Sequence, residues 1–309
     1  MPPIVTAIVL LIVGFVLLIK GADWFVDGAA GVAGKAKIPQ LVIGLTVVAF
    51  GTSAPELAVF LSSAASSGGI ALGNVVGSNI TNILLVLGLS AVFTALPVGG
   101  SLKKIDFPFL LGVSALFVLF IWTGDTLESW EGIVLAALLV GYTVFLILHA
   151  LLQKKKGLIE VEEEEEEVPT EGFGAWYAKM KGKVWFLLIL LVVGLAMVVG
   201  GGVLAAENAE IIARELGVDE RVIGLTVVAI GTSLPEIVTS VTAAAKGKTD
   251  IAIGNIVGSN IFNILMVAGL SSAILPIADS SKFVLDGMIA LGAAGLLAGL
   301  GYLKGNKIN

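Results

Sequence analysis

The sequence predicts an all-α, polytopic transmembrane helical bundle built from two inverted-topology repeats. Three observations carry that prediction. Hydrophobic residues make up 57% of the 309-residue chain and charged residues only 14%, where soluble domains carry roughly 25% charge. Long apolar segments recur along the whole length. One acid-bearing phrase occurs twice, as AFGTSAPE at 49–56 and as AIGTSLPE at 229–236.

The apolar segments fall near 4–20, 41–65, 70–96, 107–123, 130–152, 184–206, 222–245, 250–277 and 283–302. About 20 residues of helix cross a hydrocarbon core, so each is a candidate span. The first has the length of a signal peptide. It lacks a basic leader and a convincing cleavage site, and reads as a retained helix. The second half offers one span fewer than the first, because only YLKGNKIN follows the ninth.

Basic residues sort the loops. Lys35 and Lys37, Lys103 and Lys104, Lys154 to Lys156, Lys246 and Lys248, and Lys304 and Lys307 follow the odd-numbered spans. Lysine and arginine accumulate on the cytoplasmic side. That rule sets the N-terminus outside and makes the chain a multi-pass protein of the cell membrane. Residues 1–152 then form a first transmembrane half, 153–183 an acidic cytoplasmic loop, and 184–309 a second half. Trp24, Trp122, Trp130 and Trp185 fall near predicted helix ends and suit the membrane interface. Trp176 sits in a plausible interfacial segment. His149 near the end of span five reads as a membrane-rim residue, with a proton relay as the alternative.

The net charge of −6 is concentrated in Glu160 and Glu162 to Glu167. Such a run is solvated, and it lacks the spaced oxygens and turn glycine of a calcium loop. The absence of cysteine excludes disulfides, thiolate catalysis and cysteine metal sites. No histidine stands beside Ser53 or Ser233, which argues against a Ser-His-Asp hydrolase. No ATP-binding motif is evident, so the chain reads as a transporter and not an enzyme. Its expected partners are the lipid bilayer and ions, with no cofactor, nucleic acid or obligate protein partner indicated.

Val42–Ala65 and Val222–Ala245 match at 15 of 24 positions, and Ala71–Ser90 and Ala252–Ser271 match at 15 of 20. Five spans separate the copies. An odd number reverses the second copy in the membrane, as in transporters that bind ions where inverted halves meet.

The repeats carry the candidate site. Thr52, Ser53 and Glu56 occupy i, i+1 and i+4, and Thr232, Ser233 and Glu236 repeat the pattern. On a helix the threonine and glutamate would share a face. Pro55 and Pro235 free the carbonyls four residues earlier, at Gly51 and Gly231. The carbonyls of Ala49 and Ala229 are also placed to face a cavity. The partner phrases GNVVGSNITN and GNIVGSNIFN put Ser78 with Asn82, and Ser259 with Asn263, on shared faces. Asn74, Asn79, Asn255 and Asn260 are candidates for packing bonds between helices. Carboxylates, hydroxyls and carbonyls together suit a hard cation such as calcium, and acids inside a membrane are expensive and commonly functional. Asp23, Asp27, Glu207 and Glu210 read as interfacial, with attraction of cations as the alternative.

With GTSAPE, GTSLPE, GNVVGSNITN and GNIVGSNIFN in place, the chain resembles the sodium/calcium exchanger family of the calcium/cation antiporters. The resemblance implies an inverted-repeat fold, usually of ten helices, and transport of Ca2+ and Na+. It implies one half-site at Thr52, Ser53, Glu56, Ser78, Asn82 and the Ala49 carbonyl. The other is implied at Thr232, Ser233, Glu236, Ser259, Asn263 and the Ala229 carbonyl. It also implies calcium export driven by inward sodium, with three sodium ions for one calcium. Asn263 departs from the aspartate several relatives carry, which bears on stoichiometry and potassium dependence. Calcium/proton antiport and a cation-selective channel are the alternatives.

Overall fold

The computed structural model describes residues 3–63, 68–156, 172–218, 229–303 and 307–308. The glutamates of the acidic run, the stretch 222–228 that opens the seventh apolar segment, and Lys304 lie outside the described residues.

Seven described helices are long and apolar enough to cross a membrane, and two apolar helices are shorter. In chain order the elements begin with α1 (Pro3–Ala36), α2 (Gln40–Thr52) and α3 (Ala54–Ser63). Next comes α4 (Gly68–Thr81, running on through Asn82–Val86 to Leu87–Phe93), then α5 (Leu102–Thr123), α6 (Ser129–Lys155) and the short α7 (Gly172–Lys181). The second half contains α8 (Val184–Glu215), α9 (Ala229–Thr232), α10 (Leu234–Ala245), α11 (Thr249–Ile274) and α12 (Ser280–Leu303).

Two boundaries differ from the hydropathy reading. The first helix runs on past residue 20 to Ala36, and α8 runs past 206 to Glu215. Asp23 and Asp27 in one, and Glu207 and Glu210 in the other, interrupt the apolar pattern without breaking the helix. At about 1.5 Å per residue both helices outreach the ~30 Å hydrocarbon core. Trp24 therefore lies inside α1 and not at its end. Trp122, Trp130, Trp176 and Trp185 are exposed, as interfacial anchors would be. His149 lies in α6, where its ring stacks on Phe145 with centroids 5.7 Å apart.

The helices α1 and α8 form a long antiparallel pair. Glycines let their backbones touch: a Cβ on Gly14 would stand 2.8 Å from the Ala205 amide nitrogen, and one on Gly28 would stand 2.5 Å from that of Leu191. Small residues at such contacts are how membrane helices gain close packing. The centre of the molecule is α11, whose most apolar stretch is wholly buried, while that of α4 is half buried. The difference traces to α6. Gly269 of α11 meets Leu135 of α6, whereas among the described residues nothing lies within contact of Gly88, the matching residue of α4.

Two tiny strand pairs tie the helix ends. Leu96 and Pro97 (β1) pair antiparallel with Ile308 and Lys307 (β4), and Thr126 and Leu127 (β2) pair with Ala278 and Ile277 (β3). Glu128 begins the turn into α6, and its amide donates to Glu131 Oε2 at 2.8 Å, as in a capping box.

Candidate functional site

Proline sets the local geometry. A proline has no N–H to continue the helix behind it, and fits the first turn of a new helix. The chain accordingly breaks at Ser53 (φ −84°, ψ 5°) and again at Ser233 (φ −89°, ψ 3°). The stretch expected as one helix is two: Thr52 ends α2, and Glu56 lies in the first turn of α3. Thr232 and Glu236 are divided in the same way between α9 and α10. Each glutamate thus sits at the positive end of a helix dipole, which favours its charge.

The freed carbonyls are only partly free. Ala49 accepts the Ser53 amide at 3.1 Å and the Thr52 hydroxyl at 3.4 Å, and Gly51 accepts an amide at the helix end. In the second copy the Ser233 amide goes to Ile230 instead, at 3.1 Å. Ala229 opens α9. A carbonyl oxygen has a second lone pair, so a hydrogen bond leaves room for a cation.

The repeats meet reciprocally. Thr52 Oγ1 donates to Asn255 Oδ1, and Thr232 Oγ1 donates to Asn74 Oδ1, both at 3.1 Å. Ser259 lies 3.4 Å from the Thr52 hydroxyl. Ser53 Oγ donates to Glu236 Oε1 at 3.3 Å, and Ser233 Oγ donates to Ser78 Oγ at 3.3 Å. The structure thus joins Thr52, Ser53, Glu236, Asn255 and Ser259 directly, and links Ser78 through Ser233. Glu56 lies close enough to Glu236 for their charges to repel. Thr232 is half-buried, and the other site side chains described are buried.

Asn82 and Asn263 each open a π-helical segment, Asn82–Val86 and Asn263–Ala268. Another π segment, Gly44–Val48, leads into the break at Ser53. Such bulges cluster at functional sites, and no residue pattern in the sequence announces them. The remaining asparagines pack: Asn79 Nδ2 donates to the Asn260 carbonyl at 3.4 Å and accepts from Asn263 Nδ2 at 3.1 Å.

Several buried oxygens have no hydrogen-bond partner among the described residues: both of Glu56, Oε2 of Glu236, and Oδ1 of Asn82 and Asn263. Thr239 Oγ1 is a further one. Neither Thr239 nor Ser240, which accepts from Asn255 at 2.9 Å, stands in a duplicated phrase that would mark it in the sequence. Thr239 stands three residues beyond Glu236, a spacing that places both on one helix face. Leaving such groups buried and unpaired is costly. A set of hard oxygens is what calcium or sodium coordinates. Among the described residues no cluster of three or more His, Asp or Glu side chains occurs.

A cavity of about 340 Å³ borders Thr232 and Pro235 on one side and Pro55 and Ala54 on the other. Glu207 and Glu210 of α8 line it, and Glu210 also pairs with Arg214 at 2.8 Å. Asp27, which matches Glu207 in the repeat, is held differently. Lys181 of α7 and Lys246 after α10 approach its two oxygens at 2.8 and 2.6 Å, and Lys246 also reaches Asp23 at 2.6 Å. Burial lowers the pKa of Lys246, but its bonds to Asp23 and Asp27 outweigh that and hold it above the usual lysine value.

Residues 6–148 and 186–308 match the family described as sodium/calcium exchanger protein. The chain belongs to the sodium/calcium exchanger family. It is therefore a secondary active transporter that exchanges sodium for calcium, not an enzyme. The exchanger is 33% identical to the sodium/calcium exchanger MaX1 of Methanosarcina acetivorans, over 89% of this chain and 85% of that one. It is 38% identical to the inner membrane protein YrbG of Escherichia coli, over 87% and 80%. Its fold matches a solved structure of the sodium-calcium exchanger NCX_Mj with a TM-score of 0.81 and 31% identity, over 98% of this chain and 93% of that one. The exchanger is thus an all-α, polytopic helical bundle of the NCX_Mj type.

Proposed function

We propose that Glu56 and Glu236 together bind calcium, and that sodium ions competing for the same oxygens drive its release. The observation that carries this reading is the junction itself. Two buried carboxylates, one from each repeat, lie together among buried oxygens that lack partners. Thr52, Ser53, Ser78, Asn82 and the Ala49 carbonyl supply neutral oxygens from one half. Thr232, Ser233, Ser259, Asn263 and the Ala229 carbonyl supply them from the other. Thr239 adds a further hydroxyl. Two glutamates balance one double charge, so full occupation by both ions at once is disfavoured.

The halves, 1–152 and 184–309, form inverted-topology repeats with nine crossings, joined by the cytoplasmic loop 153–183. Two features support this. The matched helices α1 and α8 run antiparallel. The strand pairs also repeat with exchanged partners: 96 pairs with 308 and 127 with 277, where 277 is 96 plus 181 and 308 is 127 plus 181. With the N-terminus outside, the cavity at Glu207 and Glu210 opens the site to the exterior, while Lys246 and Lys181 seal the matching side at Asp27. Movement of the α1–α8 pair across the core would exchange the two conditions, giving alternating access. Calcium export then uses the inward sodium gradient.

The test is calcium uptake into sodium-loaded proteoliposomes, with sodium and proton gradients varied separately. Uptake that needs outward sodium and is lost in E56Q or E236Q supports the reading. Uptake driven by protons without sodium moves it to calcium/proton antiport. Flux too fast for a carrier, without counter-ion exchange, moves it to a channel.

A further inference from the structure

Outside the ion site and the cap of α6, the described residues hold one further buried carboxylate, Asp106 of α5. An ionisable side chain inside a membrane span is expensive and is commonly there for function. Helix position does not account for it. Asp106 makes no capping bond to the helix it precedes, and Asp286, in the first α-helical turn of α12, is exposed. The turn Leu102–Asp106 is π-helical, as are the turns that begin at Asn82 and Asn263. Tyr142 Oη of α6 donates to Asp106 Oδ1 at 2.9 Å, and Asp106 Oδ2 has no hydrogen-bond partner among the described residues. The Tyr142 ring is stacked on Phe109, centroids 4.2 Å apart. Among the described residues, the side chains bearing on the Asp106 carboxylate are the hydroxyls of Tyr142 and Ser101. The nearby charges are turned elsewhere. Lys103 Nζ stands over the Tyr302 ring, 6.0 Å from its centroid, Lys104 and Lys307 are exposed, and His149 stacks on Phe145. The helix α4 has no ionisable residue, and α11 has only Asp250, exposed at its start.

Tyr142 lies where α6 meets the ion-site turn of α11. Gly132 meets Ala273, Leu135 meets Gly269, and Leu139 and Thr143 share a wall with Phe262. The two helices therefore run antiparallel, and Tyr142 comes level with Phe262 and Asn263. The segment Asn263–Ala268 packs directly on α6. Asn263 Nδ2 donates to Asn79 Oδ1 at 3.1 Å, while Asn263 Oδ1 has no partner among the described residues. We propose that Asp106 and Tyr142 are positioning residues for the ion site: Asp106 fixes the Tyr142 hydroxyl, and the fixed ring backs the turn at Asn263 so that its Oδ1 is presented to the cation. This rests on Asn263 being an ion ligand. A phenylalanine would fill the same space, but only the hydrogen bond ties α6 to α5 in one arrangement, as satisfied buried polar pairs do. The device serves one half of the site, because among the described residues nothing lies within contact of Gly88 to back the matching turn at Asn82.

The test is a double-mutant cycle on the calcium KM of sodium-driven uptake into proteoliposomes, with the maximal rate read separately. Y142F keeps the ring and its stack on Phe109 and removes only the hydroxyl. It should raise the calcium KM about fivefold, the scale of one hydrogen bond, and leave the maximal rate unchanged. D106A should match Y142F, and Y142F carries the test where D106A fails to fold. D106N, whose side-chain oxygen still accepts the hydroxyl, should keep the native KM. In an N263A background Y142F should have no further effect, whereas in an N82A background the rise should persist, since residues acting through one another couple and independent ones add. A Y142F effect that adds in full to that of N263A overturns the proposal and leaves Asn263 a ligand. A native calcium KM in N263A removes Asn263 from the site, and the proposal with it. A lowered melting temperature in Y142F with a native KM assigns the pair to stability alone and also overturns it.

Discussion

The hydroxyl of Ser53 donates to Oε1 of Glu236 at 3.3 Å, joining the broken turn of one repeat to the carboxylate of the other. A hydrogen bond to a charged group contributes about 1.5–3 kcal/mol, so the S53A variant should bind calcium roughly tenfold more weakly. The E236Q variant should abolish sodium-driven calcium uptake outright. Isothermal titration and vesicle flux distinguish the two. Unchanged calcium affinity in both would remove Glu236 from the site.

Asn255 serves three side chains: it accepts from Thr52 and Ser259 and donates to Ser240. The N255A variant leaves those hydroxyls buried without their partner, at a cost of about 1–3 kcal/mol for each group left unsatisfied. The T232V variant removes the bond to Asn74, which joins two half-buried residues. Thermal melting in detergent should therefore rank N255A well below T232V. A reversed order would show that burial and the number of partners do not set the cost of breaking these bonds.

Gly258 allows α11 to lie against α2. A Cβ there would fall 2.6 Å from the Ala49 Cβ and 2.9 Å from the Leu45 carbonyl oxygen. Backbone must move to admit it, and overpacking of this kind costs about 1–3 kcal/mol. The G258A variant should melt earlier and also lose calcium affinity, because the displaced segment carries Ala49 and Thr52. At Gly77, the matching glycine, no atom of the described residues lies within 4 Å of a Cβ. The G77A variant should do neither.

Asp27 accepts from two lysines on separate elements, α7 and the turn after α10. The D27N variant should loosen that side and raise labelling of a cysteine introduced at Ala30. The native chain has no cysteine to confuse the measurement. Lys246 has its pKa raised by these bonds despite burial. Its contribution is fully present below the ordinary lysine range and is lost only as pH rises through the raised value. Labelling at Ala30 should accordingly be flat across neutral pH, and a rise on mild acidification would implicate another group.

Composition and the duplicated phrases were enough to determine that this chain crosses a membrane repeatedly, and they point to GTSAPE and GTSLPE as its candidate ion site. Those properties are local: burial in lipid demands apolar runs, and a proline two residues after a serine breaks a helix wherever it stands. Hydropathy ends both long helices short, because it counts a carboxylate as an interruption without knowing whether a lysine meets it, as at Asp27, or a cavity does, as at Glu207. Only the tertiary structure decided that Asn255 belongs to Thr52 and Asn74 to Thr232, and that Ser53 reaches Glu236. Those pairings depend on how segments 158 to 203 residues apart approach, and backbone contact at glycines such as Gly44 and Gly258 sets that approach. The π-turns at Asn82 and Asn263 were likewise invisible, since they arise from the packing of the whole bundle and not from the residues that form them.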